Sequence, residues 1–255
     1  LRDSLFLSVE QPIRELLPEY YERLDGSPAD DPRKDDIRLS HLLDMSSGLQ
    51  TTSFGNYGSW VASPDWGWDQ LRRPIQCRPG RCFEYTTGGT HLIGIAIARA
   101  AGKNLRQYAR ESLFGPMGID LPGWDRDPQG NYLGGNNMAL RPRDLLSVGV
   151  LYLQGGMYEG RQLVPRQWIL DSWEARFRSP WNGHRYGSLW WRERWGGETA
   201  HFAWGYGGQY LVIVPRLDLV IVATSALERR TRGHTRQMRR FFDRYAIPAF
   251  RPRSS

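Results

Sequence analysis

The chain has 255 residues, 40% of them hydrophobic and 13% aromatic, which excludes a disordered or low-complexity protein and fits a folded one. Its net charge of +7 comes almost wholly from arginine, since Lys34 and Lys103 are the two lysines. No apolar run approaches the roughly 20 residues that a membrane helix needs, and the basic residues are too spread out for a nucleic-acid footprint, except near the C-terminus.

In chain order, SVEQPIRELLPEYYERL sets Ile13, Leu16, Leu17, Tyr20, Tyr21 and Leu24 at helical intervals broken by Pro18. DGSPADDPRKDD is polar and proline-broken, an expected exposed loop. IRLSHLLDMSSGL reads as a short helix ended by Gly48 in the left-handed conformation. Residues 51–68 read as a long irregular loop of the kind that carries function. From Thr87, GGTHLIGIAIARAAG reads as a small-residue helix ended by Gly102, and Asn104 caps the next one. A glycine-rich stretch, QGNYLGGNNMAL, leads to the amphipathic RPRDLLSVGVLYLQGG. VPRQWILDSW follows, with Pro165 near its first turn.

Beyond residue 183 the period changes. GQYLVIVPRLDLVIVATS predicts an antiparallel hairpin buried on both faces, and RYGSLWWRERW predicts another strand. ERRTRGHTRQMRRFFDR spaces Met238, Phe241, Phe242 and Tyr245 as one face of a terminal helix with a solvated arginine side. Helices, then strands, then a helix predict an α+β protein with no internal repeat. About 28–180 is expected to be mainly helical, and about 183–247 to hold the strands and the terminal helix.

The eleven tryptophans either fill a core or line a pocket. Cys77 and Cys82, in QCRPGRC, either close a disulfide loop suited to an oxidising compartment or stay as free thiols. The five histidines are scattered, and each alone reads as a packing or surface residue. G-x-S-x-G, a P-loop, H-E-x-x-H and an EF-hand loop are all missing.

A conjunction of segments points further. IRLSHLLDMSSGL, FEYTTGGTHLIGIAIARAAGKNLRQYARESLFGPMGI, GGNNMALRPRDLLSVGVLYLQGG and GYGGQYLVIVPRLDLVIVATS occur in that order. Together they resemble the serine hydrolases of the penicillin-binding-protein and class C β-lactamase superfamily. The resemblance is nearest to the branch of esterases and 6-aminohexanoate-dimer hydrolases, and it runs from about Ser8 to about Ser225. It implies a β-lactamase/transpeptidase-like fold, a small-molecule ester or amide substrate, no metal or cofactor, and no nucleic-acid partner.

The family's site has three motifs. S-x-x-K supplies a nucleophilic serine and a lysine. Y-x-N corresponds to Tyr85-Thr86-Thr87. A K-T-G-like triplet on a core strand corresponds to Gly205-Tyr206-Gly207. A serine hydroxyl needs a base to attack, a lysine and a phenol side by side can share that task, and backbone N–H groups stabilise the oxyanion. Tyr85 and Thr87 are thus the implied catalytic pair. Gly205, Tyr206, Gly207, Asn137 and Trp190 are the implied substrate and oxyanion residues, and Trp66, Trp68 and Trp181 join Trp190 as candidate pocket-border rings.

The sequence departs from the pattern in three places. No serine is followed three residues later by lysine. SVEQPIRELLPEY resembles the family segment directly after the S-x-x-K helix, so the chain is expected to begin downstream of its nucleophile, as a fragment or as a degenerate homologue. Thr87 stands where the motif has asparagine, which lowers the expectation of β-lactam recognition, and the glycine triplet carries no lysine or histidine. The resemblance further implies missing N-terminal strands, and hence self-association through an uncovered sheet edge.

Overall fold

The computed structural model describes residues 5–22, 31–225 and 234–252. The chain divides into two compact units, Leu1–Ala139 with Ser179–Trp181, and Leu140–Arg178 with Asn182–Ser255.

In the first unit, α1 (Ile13–Leu16) and α2 (Pro18–Tyr21) are separate single turns. Proline has no amide to continue the ladder and keeps its predecessor out of the helical region, and Leu17 sits at φ −134°, ψ 56°. Over the part that is described, the expected exposed loop holds at Pro32, Asp35 and Asp36 and is corrected at Lys34. Pro32–Asp36 is a 3-10 turn in which the Asp31 carboxylate accepts from the Arg33 amide at 2.9 Å. Lys34, on that turn, is only 1% exposed; a long alkyl stem permits burial that the charge pattern hides.

Helix α3 (Leu39–Leu43) ends earlier than expected, with Met45 already left-handed at φ 58°, while Gly48 takes the left-handed conformation its sequence predicts, at φ 78°. Gly48 is required for another reason, since a Cβ there would overlap the Cys77 carbonyl oxygen. Residues 51–68 are not an irregular loop. They hold a 3-10 turn (Phe54–Asn56), α4 (Tyr57–Val61) and the start of α5 (Trp66–Arg72), whose cap Asp65 accepts from the Trp68 amide at 3.0 Å. The central helix α6 (Thr87–Ala101) ends at Gly102, φ 60°, as its sequence predicts. Asn104 caps α7 (Leu105–Ala109) by accepting from the Gln107 amide at 2.9 Å.

In the second unit, α8 (Pro142–Leu153) packs on a six-stranded antiparallel sheet. Between them in sequence lie the hairpin β1 (Met157–Tyr158) and β2 (Arg161–Gln162), and α9 (Arg166–Trp173). The sheet runs in sequential order through β3 (Phe177–Arg178), β4 (Arg185–Tyr186), β5 (Trp191–Trp195), β6 (Glu198–Gly205), β7 (Gln209–Val214) and β8 (Leu219–Ala223). The predicted β7–β8 hairpin is present, pairing Val214 with Leu219. Burial on both faces holds for β7 but not for β8, which is half-buried beyond Leu219 and stands at the sheet edge among the described residues. Strand β6 went unpredicted because its apolar residues are interleaved with Thr199 and His201.

One sheet face is a core of Trp190, Leu211 and Ile213 against Leu145, Val148 and Tyr152 of α8. Gly149 permits that approach, since a Cβ there would stand 2.7 Å from Leu211 Cδ1. Elsewhere in this unit Phe242 stacks on Trp195 at 5.3 Å. The terminal helix α10 (His234–Phe241) runs into a π turn, Phe242–Ala246. That wider turn splits the predicted apolar face, burying Phe242 and leaving Phe241 and Tyr245 exposed. Core filling claims Trp60, Trp190, Trp191 and Trp195, whereas Trp181 is 46% exposed.

His201 on β6 is buried and stacked on Trp173 at 4.2 Å, and among the described residues its Nδ1 has no hydrogen-bond partner. Burial, helped by the Arg192 charge, lowers its pKa from 6.5 to about 4. The unfolded chain therefore binds a proton below pH 6.5 that the folded protein refuses until about pH 4, so acidification through that window destabilises the fold. This histidine should contribute a loss of about 3 kcal/mol by pH 4. Denaturant titrations from pH 7 to 4 should show a shallower loss in His201→Phe than in the wild type; identical slopes would contradict the assignment.

Candidate active site

Tyr85 immediately precedes Thr86, the N-cap of α6. A helix start leaves its first amides without partners, and here that start is buried at Thr86, Gly88 and Gly89. Thr86 does not cap its own helix. Instead, the Thr87 amide donates to Ser53 Oγ and the Gly88 amide to Thr52 Oγ1, both at 2.8 Å. The Thr86 hydroxyl donates to Gln70 Oε1 at 2.6 Å, and Thr52 Oγ1 donates to the same oxygen at 2.8 Å. Thr51 Oγ1 donates to the Tyr85 carbonyl at 2.6 Å, and Ser53 Oγ lies 2.8 Å from Thr87 Oγ1. Loop 51–53 is thus riveted to residues 85–88. Of these partners, the sequence had singled out Tyr85 and Thr87 alone. The hydroxyls of Thr51, Thr52 and Ser53 escaped because their partners lie 34 to 36 residues away.

Burial pushes the Tyr85 phenol above its ordinary value of 10.0. Its ring is 6.1 Å from that of Phe54, which in turn meets Trp181 edge-on at 5.3 Å and 74°. Phe54 has φ 56° and is 63% exposed. A bulky residue in the left-handed region costs about 1–3 kcal/mol and persists only where its surroundings fix it. Ser53 is held by Thr87, and Asn56 Nδ2 donates to the Thr51 carbonyl at 3.1 Å.

The glycine-rich loop lies against the start of α6. A Cβ on Gly135 would stand 2.9 Å from Thr87 Cγ2, and one on Gly94 would stand 3.0 Å from Gly134 Cα. Asn137 is exposed, at φ 57°, and its amide donates to Asp125 Oδ2 at 2.9 Å. Its neighbour Asn136 donates to Tyr57 Oη at 2.8 Å.

Below this loop lies a buried pair that the sequence reading missed. His91 Nε2 is 2.9 Å from Asp127 Oδ2, both side chains are fully buried, and the Gly134 amide donates to His91 Nδ1 at 3.4 Å. That bond makes Nδ1 the acceptor and Nε2–H the donor. Burial works to raise the Asp127 carboxyl, but hydrogen bonds from His91 and Asn131 outweigh it and leave the pKa lowered. A signal existed: a histidine among small and apolar residues on a buried helix requires an internal partner.

The remaining residues fall as follows. Trp66 packs on Trp60 at 4.9 Å, and its carbonyl accepts from Trp60 Nε1, while Trp68 is half-buried on α5. Gly205, Tyr206 and Gly207 belong to the second unit. Gly205 ends β6, Tyr206 is 78% exposed, and Gly207 at φ 80° turns the chain into β7, so the triplet forms a hairpin tip. Trp190 is buried in that unit's core, 4.7 Å from Tyr152. Cys77 and Cys82 form a disulfide. Among the described residues there is no cluster of His, Cys, Asp or Glu that could hold a metal, and no helix long and apolar enough to cross a membrane.

The Beta-lactamase family model matches residues 3–241. No curated protein matches the sequence. Among solved structures, a Bacillus anthracis protein assigned as a 6-aminohexanoate-dimer hydrolase superposes with a TM-score of 0.73 at 20% identity, over 93% of this chain and 65% of its own. The chain thus spans about two thirds of that relative's length. A D-stereospecific amidohydrolase from a Streptomyces species gives a TM-score of 0.69 at 14% identity, over 96% of this chain and 81% of its own. A penicillin-binding-protein homologue from Caulobacter crescentus gives 0.65 at 18%, over 91% and 75%. The α+β fold is therefore β-lactamase/transpeptidase-like.

Thr52→Val keeps the shape of the fully buried Thr52 but strands the Gly88 amide. Chemical denaturation should show a loss of about 1–3 kcal/mol; a change within experimental error would show that the cap carries no stability.

Proposed function

Because the chain belongs to the β-lactamase family of serine hydrolases, we propose that it serves hydrolysis of a small-molecule ester or amide through an acyl-serine intermediate, with Tyr85 carrying the proton. The observation behind this reading is the placement of Tyr85, held through its own carbonyl and through the capped helix start that follows it. In the reaction, the serine hydroxyl passes its proton to the phenolate–lysine pair as its oxygen attacks the carbonyl. The tetrahedral oxyanion collapses, the alcohol or amine leaves with that proton, and water repeats the sequence to release the acid. Backbone N–H groups at Gly205-Tyr206-Gly207 are the proposed oxyanion donors. Thr87, engaged with Ser53, acts as a positioning residue.

The 255 residues contain no S-x-x-K, and a phenol raised by burial is a base only when a cation stabilises its anion. The chain by itself therefore should not turn over substrate. Chromogenic ester and cephalosporin assays are expected to run at the buffer rate, and turnover abolished by Tyr85→Phe would contradict this. The coding sequence upstream of Leu1 separates the enzyme from a binding protein that has lost its chemistry. An S-x-x-K in a short apolar helix supports the enzyme, and Tyr85→Phe in the joined protein should then lower kcat by roughly 10²–10⁴. Its absence supports the binding protein.

Among the described residues β8 stands at the sheet edge, where a strand can pair with another chain, and we infer self-association through it. Light scattering should find wild-type oligomers that Ile221→Lys dissociates; a monomeric wild type would refute the inference.

A further inference from the structure

We propose that Phe54 and Trp181 form an aromatic-binding corner beside Tyr85, selecting ester or amide substrates that carry an aromatic ring close to the reacting carbonyl. This deepens the reading above and rests on Tyr85 marking the reaction centre. The first observation is the strained conformation of Phe54. At φ 56° the residue is held where glycine would sit freely, yet burial does not explain it, because Phe54 is 63% exposed. Strained positions of this kind cluster at functional sites. Hydrogen bonds on either side keep it from relaxing: Ser53 to Thr87 on one side, and Asn56 to the Thr51 carbonyl on the other.

The second observation is geometric. Trp181 is 46% exposed and meets the Phe54 ring at 5.3 Å and 74°. Two rings nearly at right angles form a corner, and Tyr85 lies 6.1 Å from Phe54, tilted by 43°. A third ring entering that corner meets one neighbour face-on and the other by its edge, the arrangement that aromatic quadrupoles favour. A saturated ring of the same size gains buried area only. The corner therefore distinguishes an aromatic group from an aliphatic one, which an ordinary apolar surface does not.

The test needs binding and no turnover, so its outcome is independent of the ester and cephalosporin assays. Phenylacetamide and cyclohexylacetamide are titrated separately into the chain and followed by ligand-observed NMR. Phenylacetamide should bind about 5-fold more tightly. Trp181→Ala should abolish that preference. Phe54→Gly should abolish it too while raising the melting temperature, because glycine relieves the strain; a ring needed only for packing would lower that temperature. Equal affinities, no binding of either amide, a preference that survives Phe54→Gly, or a lower melting temperature in Phe54→Gly would each overturn the proposal.

Discussion

The start of α6 is buried, and its first amides need acceptors. A helix that begins at the surface leaves that task to water. Here Thr86 turns its hydroxyl to Gln70, and the acceptors come from Thr52 and Ser53 on a separate segment. That exchange locks residues 51–53 to residues 85–88. The backbone position of Tyr85, the strained Phe54 and the seat of the glycine-rich loop on Thr87 all follow from it.

The small residues of TTGGTH take their meaning from this layer. A Cβ on Gly88 would come within 2.8 Å of Thr52 Oγ1 and crowd Gln70, while one on Gly89 would meet Thr86 Cγ2 at 2.9 Å. The glycines are there so that hydroxyls can reach the helix start. Beneath the same helix, His91 and Asp127 tie down Gly134 from inside. The backbone at Tyr85 is thus held in place, but burial alone moves the phenol's pKa in the wrong direction for a base. In the proposed role, position and activation are separate requirements on Tyr85, and the hydrogen bond to its carbonyl bears on the first.

Legibility followed the range of the interaction. Gly102 and Asn104, which end and begin helices by local rules, were readable from neighbours, as was the β7–β8 hairpin around PRLD. Lys34 misled because charge predicted exposure, and β6 was hidden by Thr199 and His201 among its apolar residues. Tyr85, as a proposed site residue, rests on the order of four segments, a property of the whole chain. Thr52, Ser53 and the His91–Asp127 pair did not emerge, since each acts on a partner more than 30 residues away and no local pattern records it. The strain at Phe54 was equally invisible, because its sequence neighbourhood, TSFGN, would have placed the left-handed residue at Gly55.

The central claim is that the described residues hold the backbone at Tyr85, the proposed proton carrier, while burial raises its phenol. An ultraviolet difference titration of the wild type against Tyr85→Phe isolates that one phenol. The account predicts that it ionises above its ordinary value of 10.0. Ionisation below that value would mean that a cation already within these residues activates it, and would contradict the account.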